Sequence, residues 1–133
     1  MSSQLTSIDS QSNYETVLTA VSNDGLVLEF ASKTLQNNYD IVMSAVSNNG
    51  LALQYASKKY QSNKDIVLAA VQNNSLAYEY ASIILKKDRS IVLTYICNHP
   101  YDFKHVPEIF KEDREIINAI KRNSKYAFYK ISK

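Results

Sequence analysis

At 133 residues, 45% apolar and 21% charged, the chain can bury one modest core without metal or disulfide staples. Two glycines and two prolines, against usual shares of roughly 7% and 5%, leave too little turn punctuation for a many-stranded β fold and point to helices. A net charge of +2 is small for a domain dedicated to phosphates, and the single cysteine, Cys97, excludes an intramolecular disulfide and suits a reducing compartment.

Residues 1–12, MSSQLTSIDSQS, form a polar segment with neither a basic n-region nor an apolar h-region. No apolar run approaches the ~20 residues needed to span a bilayer, so the expectation is a cytoplasmic protein without a classical secretion signal. From Asn13 onward a 25-residue unit recurs in copies 13–37, 38–62 and 63–87, a divergent copy 88–112 and a capping copy 113–133. The first two copies are identical at 14 of 25 positions. A unit this short cannot bury its own apolar face, so the copies must stack into one domain, 13–133.

Each regular copy reads as two short helices. In 38–62, Asn38 is a good N-cap, Asp40 meets the helix dipole, and Ile41, Val42, Ala45 and Val46 make an apolar stripe, which predicts a helix over 39–48. Gly50 is expected to close it in the left-handed conformation. Leu51, Ala52, Tyr55 and Ala56 then predict a second helix over about 51–60. Helices of ten residues do not persist alone in water, and no period-two alternation supports strands.

Comparing copies predicts a core at Thr16-Val17, Ile41-Val42, Ile66-Val67, Ile91-Val92 and Ile116-Ile117. Phe30-Ala31, Tyr55-Ala56 and Tyr80-Ala81 pair a ring with a small neighbour and are also expected inside. Asparagine stands at the same place in every copy, Asn23, Asn48, Asn73, Asn98 and Asn123. It is expected to bond the backbone at its own first-helix end, with a bound peptide backbone as the alternative. Glu29 and Lys33 would form an i,i+4 pair.

Two surface features stand out. The first position of each first helix reads Tyr14, Tyr39, Lys64, Arg89, Arg114, an edge that passes from aromatic to basic and suits either a partner protein or solvent. In the third copy Ile83 and Ile84 replace Lys33 and Thr34. They form an apolar spot for a partner or second subunit, unless the fourth copy, interrupted by Pro100 and Pro107, folds over them.

Chemistry is poorly provided for. Cys97, His99, Asp102 and His105 are the nearest approach to a nucleophile with a base, but Cys97 and His99 occupy polar end-of-helix and turn positions of the repeat, and no glycine-rich oxyanion loop is near. They are too few for a closed zinc site. No catalytic residue, metal or cofactor is expected.

The pattern Asp40-Ile41-Val42, Ala45-Val46, Asn48 to Gly50, Ala52-Leu53 and Tyr55-Ala56-Ser57 resembles the repeat family called domain of unknown function 4116. The resemblance is specific over 13–87 and loose from Asp88, where the two prolines intervene and His105 replaces a ring. It implies an all-helical tandem repeat of intracellular bacteria such as Legionella, of protists and of large DNA viruses. Bacterial members look like host-directed effectors or regulators of effectors, which implies delivery by a specialised secretion system. The family defines no catalytic residues, so none carry over.

The sequence therefore predicts an all-α solenoid of short helix-turn-helix repeats acting as a non-enzymatic protein-binding module, an adaptor or a stoichiometric inhibitor of its partner. Nucleic-acid or anionic-surface binding is the alternative, through Lys121, Arg122, Lys125, Lys130 and Lys133 with Tyr126, Phe128 and Tyr129 interleaved. Self-association through Ile83-Ile84 or the last copy is the remaining partner class.

Overall fold

The computed structural model describes residues 3–99, 102, 104 and 106–123, with side chains from residue 13 to residue 122 within that set. Among them every regular element is helical. Helix α1 (Ser3–Asn23) is 21 residues long and runs unbroken through the start of the first copy at residue 13. Helices α3 (Tyr39–Asn48), α5 (Lys64–Asn73), α6 (Arg89–Asn98) and α7 (Arg114–Asn123) are the first helices of the later copies, each of ten residues. They stack in chain order, α1 on α3, α3 on α5, α5 on α6 and α6 on α7.

Side-chain caps start these helices as their sequences require. Asn38 Oδ1 accepts from Ile41 N at 3.0 Å, Asn63 from Ile66 N at 3.1 Å, and Asp88 and Asp113 do the same for Ile91 and Ile116. The stripes behind the caps are fully buried: Ile41, Val42, Ala45 and Val46 in α3, and Ile66, Val67, Ala70 and Val71 in α5. Burying each branched side chain stabilises the stack by roughly 1.5–3 kcal/mol. Ile91, Val92 and Ile116 are buried likewise, but Thr16 is exposed, because α1 has no earlier copy packed against it.

The second half of each copy is not the single helix expected. A 3-10 turn (Gly25–Phe30, Gly50–Tyr55, Ser75–Tyr80) is followed by an extended Ala-Ser step, and then by a four-residue helix in the first two copies, α2 (Lys33–Gln36) and α4 (Lys58–Gln61). The break has a visible cause, since the Ser57 N–H leaves its own copy to donate to Gln36 O at 3.0 Å, and Ser82 N–H does the same to Gln61 O at 2.9 Å. Three residues per turn also change which side chains point inward. Ala52, Leu53 and Ala56 are buried, Tyr55 and Tyr80 are half-buried, and the Phe30 ring, expected in the core, is 81% exposed. The break likewise puts Glu29 in the turn and Lys33 in α2, so the two do not share one helix.

Neither glycine adopts the left-handed conformation; both have negative φ. Their role is close approach. A Cβ on Gly25 would lie 2.2 Å from Ala45 O, and one on Gly50 would lie 2.1 Å from Ala70 O, both in the following copy. The asparagine column locks the same contact. Asn48 Oδ1 accepts from Gly25 N at 2.7 Å while its Nδ2 donates to Ser22 O at 3.1 Å, and Asn73 repeats this with Gly50 N (2.7 Å) and Ser47 O (3.0 Å). The side chain thus clamps the preceding copy rather than capping its own helix. With Oδ1 and Nδ2 both engaged, these asparagines are spent on the array.

Candidate interaction site

The clamp fails between the third and fourth copies. In repeat register Ser75 stands for Gly50, Tyr78 for Leu53, Tyr95 for Ala70 and His99 for Asn74. A serine Cβ cannot occupy the 2.1 Å approach that Gly50 makes to the next helix, so α6 cannot seat on the third copy as α5 seats on the second. Rings fill the difference. Tyr78 and Tyr95 stack at 4.5 Å between centroids with planes 25° apart, and Tyr95 and His99 stack at 4.8 Å and 23°. Asn98 bonds Thr94 O of its own helix at 3.4 Å, and the Ser75 hydroxyl meets His99 Nε2 in place of the glycine–asparagine bond.

The hydroxyls of the stack are tied down. Tyr78 donates to Lys86 O at 2.5 Å, and Tyr95 donates to the Asp102 carboxylate. Burial raises the Tyr78 hydroxyl above its ordinary pKa; Tyr95 is raised further, by burial first and then by its bond to Asp102. The apolar interior divides at this point into one cluster ending at Ile91 and another running from Val92 to Ile120, with Tyr78 and Tyr95 packed against both.

Beside the stack lies a groove of about 640 Å³ whose apolar lining includes Leu76, Tyr78, Ile83, Tyr95 and Pro107 and whose charged lining is Glu79, Lys86, Lys87 and Asp102. The described residues of the fourth copy do not cover the isoleucines: Ile83 is 73% exposed and Ile84 is 82% exposed. Leu76, at the same groove, is 53% exposed. Comparison of the copies in sequence singles out Ile83 and Ile84. The coupled changes at Ser75, Tyr78 and Tyr95 carry their own sequence signal, as breaks in the glycine, leucine and alanine columns of the aligned copies, but only the structure shows that they meet.

The helix-start edge is occupied differently. Tyr14 is half-buried, and Tyr39 makes an edge-to-face contact with Tyr60 at 6.0 Å. Lys64 pairs with Asp88 at 3.3 Å, and Arg89 forks onto Asp113 at 2.7 and 3.0 Å and reaches Glu115. The basic members therefore strap one copy to the cap residue of the next, while Arg114 is exposed. The Arg89 pair holds the Asp113 carboxyl at about 2, below its ordinary 3.8. A carboxylate depressed in the folded state adds stability above its unfolded pKa and loses it as pH falls through the folded one. Wild-type protein is therefore expected to be more resistant to urea than Asp113→Asn at pH 5, with the difference shrinking between pH 4 and pH 2; equal urea midpoints at pH 5 would show that the strap adds nothing.

Cys97 is half-buried and lines a separate groove of about 320 Å³ with Leu68, Leu93 and Thr94 among its neighbours. His99 and Asp102 belong to the tyrosine stack, and His105 lies outside the described residues. Among the described residues no group of three His, Cys, Asp or Glu side chains is placed to hold a metal ion. Lys121 and Arg122 are exposed at the end of α7, whereas Lys125, Lys130, Lys133 and the interleaved Tyr126, Phe128 and Tyr129 lie outside the described residues. No helix among the described residues is long and apolar enough to cross a membrane.

The family model described as domain of unknown function (DUF4116) matches residues 13–61, 38–86 and 88–133. The first two matches are offset by one 25-residue copy, so each spans a stacked pair, and the third begins at the cap residue of α6. No curated protein and no solved structure matches the chain.

Proposed function

We propose that this chain, which belongs to the domain of unknown function (DUF4116) family, is a non-enzymatic protein-binding module that docks its partner at the junction of the third and fourth copies, as an adaptor or a stoichiometric regulator. One observation carries the reading: Ile83 and Leu76 stand exposed at a groove already formed, and Ile84, next to Ile83 in the chain, is exposed as well. The regular copies put Lys33 and Lys58 at the place of Ile83, so the apolar change is confined to the point where the repeat pattern breaks. Contiguous exposed apolar side chains of this kind mark interaction sites. The resemblance to repeat proteins of intracellular bacteria supports a narrower form of the proposal, in which the partner is an effector or a host protein met in a cytoplasm.

The test is affinity capture from a native lysate with the wild-type chain and an Ile83→Asp/Ile84→Asp double variant. Retention of the partner is expected to fall about tenfold or more, equivalent to ~1.4 kcal/mol. The helical circular dichroism should stay unchanged, because both side chains already face solvent. A partner held at full strength by the double variant would remove this surface from consideration.

A further inference from the structure

We infer that the partner is recognised as an extended, acidic polypeptide segment lying along the grooves of three successive junctions between copies, with an apolar side chain anchored in the last groove. The inference rests on the protein-binding reading above and specifies the form of the partner. Its basis is that the groove at Ile83 is not isolated. A groove of about 760 Å³ lies between the first and second copies and one of about 650 Å³ between the second and third. They are equivalent in the repeat: Lys33, Gln36 and Tyr55 line the first where Lys58, Gln61 and Tyr80 line the second. Gln54 and Lys58 line both, and Glu79 and Ile83 line both the second groove and the one beside the tyrosine stack. Each groove therefore adjoins the next, with two side chains shared at each boundary.

The same contacts that stack the copies build the floor, which is why the groove recurs. The Gln36 amide donates to Leu28 O at 3.0 Å and the Gln61 amide to Leu53 O at 3.1 Å, while Ser57 N–H and Ser82 N–H cross from the next copy onto the backbone oxygens of these glutamines. Stacked helices lie ~10 Å apart, so the first and third grooves are separated by roughly 20 Å. About six extended residues at ~3.3 Å each cover that distance.

Charge selects the occupant. Lys33, Lys58, Lys59, Lys86 and Lys87 line the three grooves, and among the described residues none of them is in an ion pair. The acidic groups there are Glu29, which lies against the Tyr55 hydroxyl, Asp102, which accepts the Tyr95 hydroxyl, and Glu79, so the five lysines outnumber the carboxylates by two. An acidic segment meets that excess, and Ile83 with Leu76 supplies the one apolar subsite.

The probes are three fluorescein-labelled decapeptides: one rich in Asp and Glu and ending in Leu-Phe, its counterpart with every carboxylate changed to the amide, and a counterpart ending in Ser-Ser. The first is expected to bind, and each counterpart to bind at least fivefold more weakly. Lys58→Glu should weaken the first peptide fivefold or more, and Ile83→Asp should abolish its preference for the Leu-Phe ending. Both positions are solvent-facing, and an unchanged thermal melt confirms that the fold is intact. No binding, equal binding of the three peptides, or indifference to Lys58→Glu overturns the inference. If the native partner is nevertheless lost from Ile83→Asp/Ile84→Asp, the protein-binding reading stands with a folded partner surface; if neither peptide nor partner responds, both fall. Displacement of the peptide by a ten-nucleotide single strand, weakening steeply with salt, would reassign the lysines to phosphates and likewise overturn the inference.

Discussion

Gly50→Ala is expected to destabilise the folded array by about 3 kcal/mol, at the upper end of the usual cost of overpacking. Helix propensity and backbone entropy predict the opposite sign, a gain of roughly 0.4–1 kcal/mol where the native conformation suits alanine, and the negative φ of Gly50 satisfies that condition. What decides is the Cβ, which would meet the Ala70 carbonyl at 2.1 Å, and that carbonyl belongs to a buried helix with no flexible end to yield. The same change one copy later should be mild. Ser75 already carries a Cβ, so Ser75→Ala removes only its hydroxyl contact with His99, worth about 1 kcal/mol. Urea unfolding of both variants checks the pair, and a stabilised Gly50→Ala would refute the close-approach account.

Asn73→Ala is expected to cost about 2–3 kcal/mol. It strands the buried Gly50 N–H, which donates to Asn73 Oδ1 at 2.7 Å, and deprives Ser47 O and Asn48 O of their Nδ2 donor. An unsatisfied buried donor costs roughly 1–3 kcal/mol. Asn98→Ala, at the same repeat position, removes an exposed 3.4 Å bond inside one helix and should cost under about 0.5 kcal/mol. Sequence comparison cannot separate two identical residues in one register. Chemical denaturation can, and equal losses would show that the clamp does not distinguish the regular junctions from the broken one.

These two residues also show how much was legible beforehand. The 25-residue period gave the stacking, and the 3,4-spaced stripe gave α3 and its buried face to the residue, because burial of alternate turns leaves a mark in apolar spacing. The second half of the copy reads as one helix because Leu51, Ala52, Tyr55 and Ala56 share one face at the α period, whereas at three residues per turn they scatter, leaving Leu51 and Tyr55 half-buried and turning Leu53 inward. What breaks it is the cross-copy bond from Ser57 N–H to Gln36 O, and backbone bonds to another copy leave no side-chain signature. The glycine and asparagine columns were visible as columns, but local turn chemistry explained them plausibly, whereas their cause is contact 20 or more residues away.

The candidate site was legible in the same measure. Ile83 and Ile84 emerged by comparison with Lys33 and Thr34, and their exposure distinguishes an apolar surface from a spot covered by the fourth copy. The helix-start edge read from Tyr14 to Arg114 divides: Lys64 and Arg89 are used between copies, which a list of exposed residue types cannot reveal. The regular copies emerge as a clamped scaffold. The junction where Ser75 and Tyr95 break the clamp is where a different surface becomes available.

That division of labour is the central claim, and site-specific photocrosslinking in the native cell tests it most directly. A photoreactive side chain placed at position 83 is compared with the same group at positions 14 and 114 on the helix-start edge. The account predicts a specific crosslinked partner from position 83 and none from the other two; a partner captured from 14 or 114 and absent from 83 would contradict it.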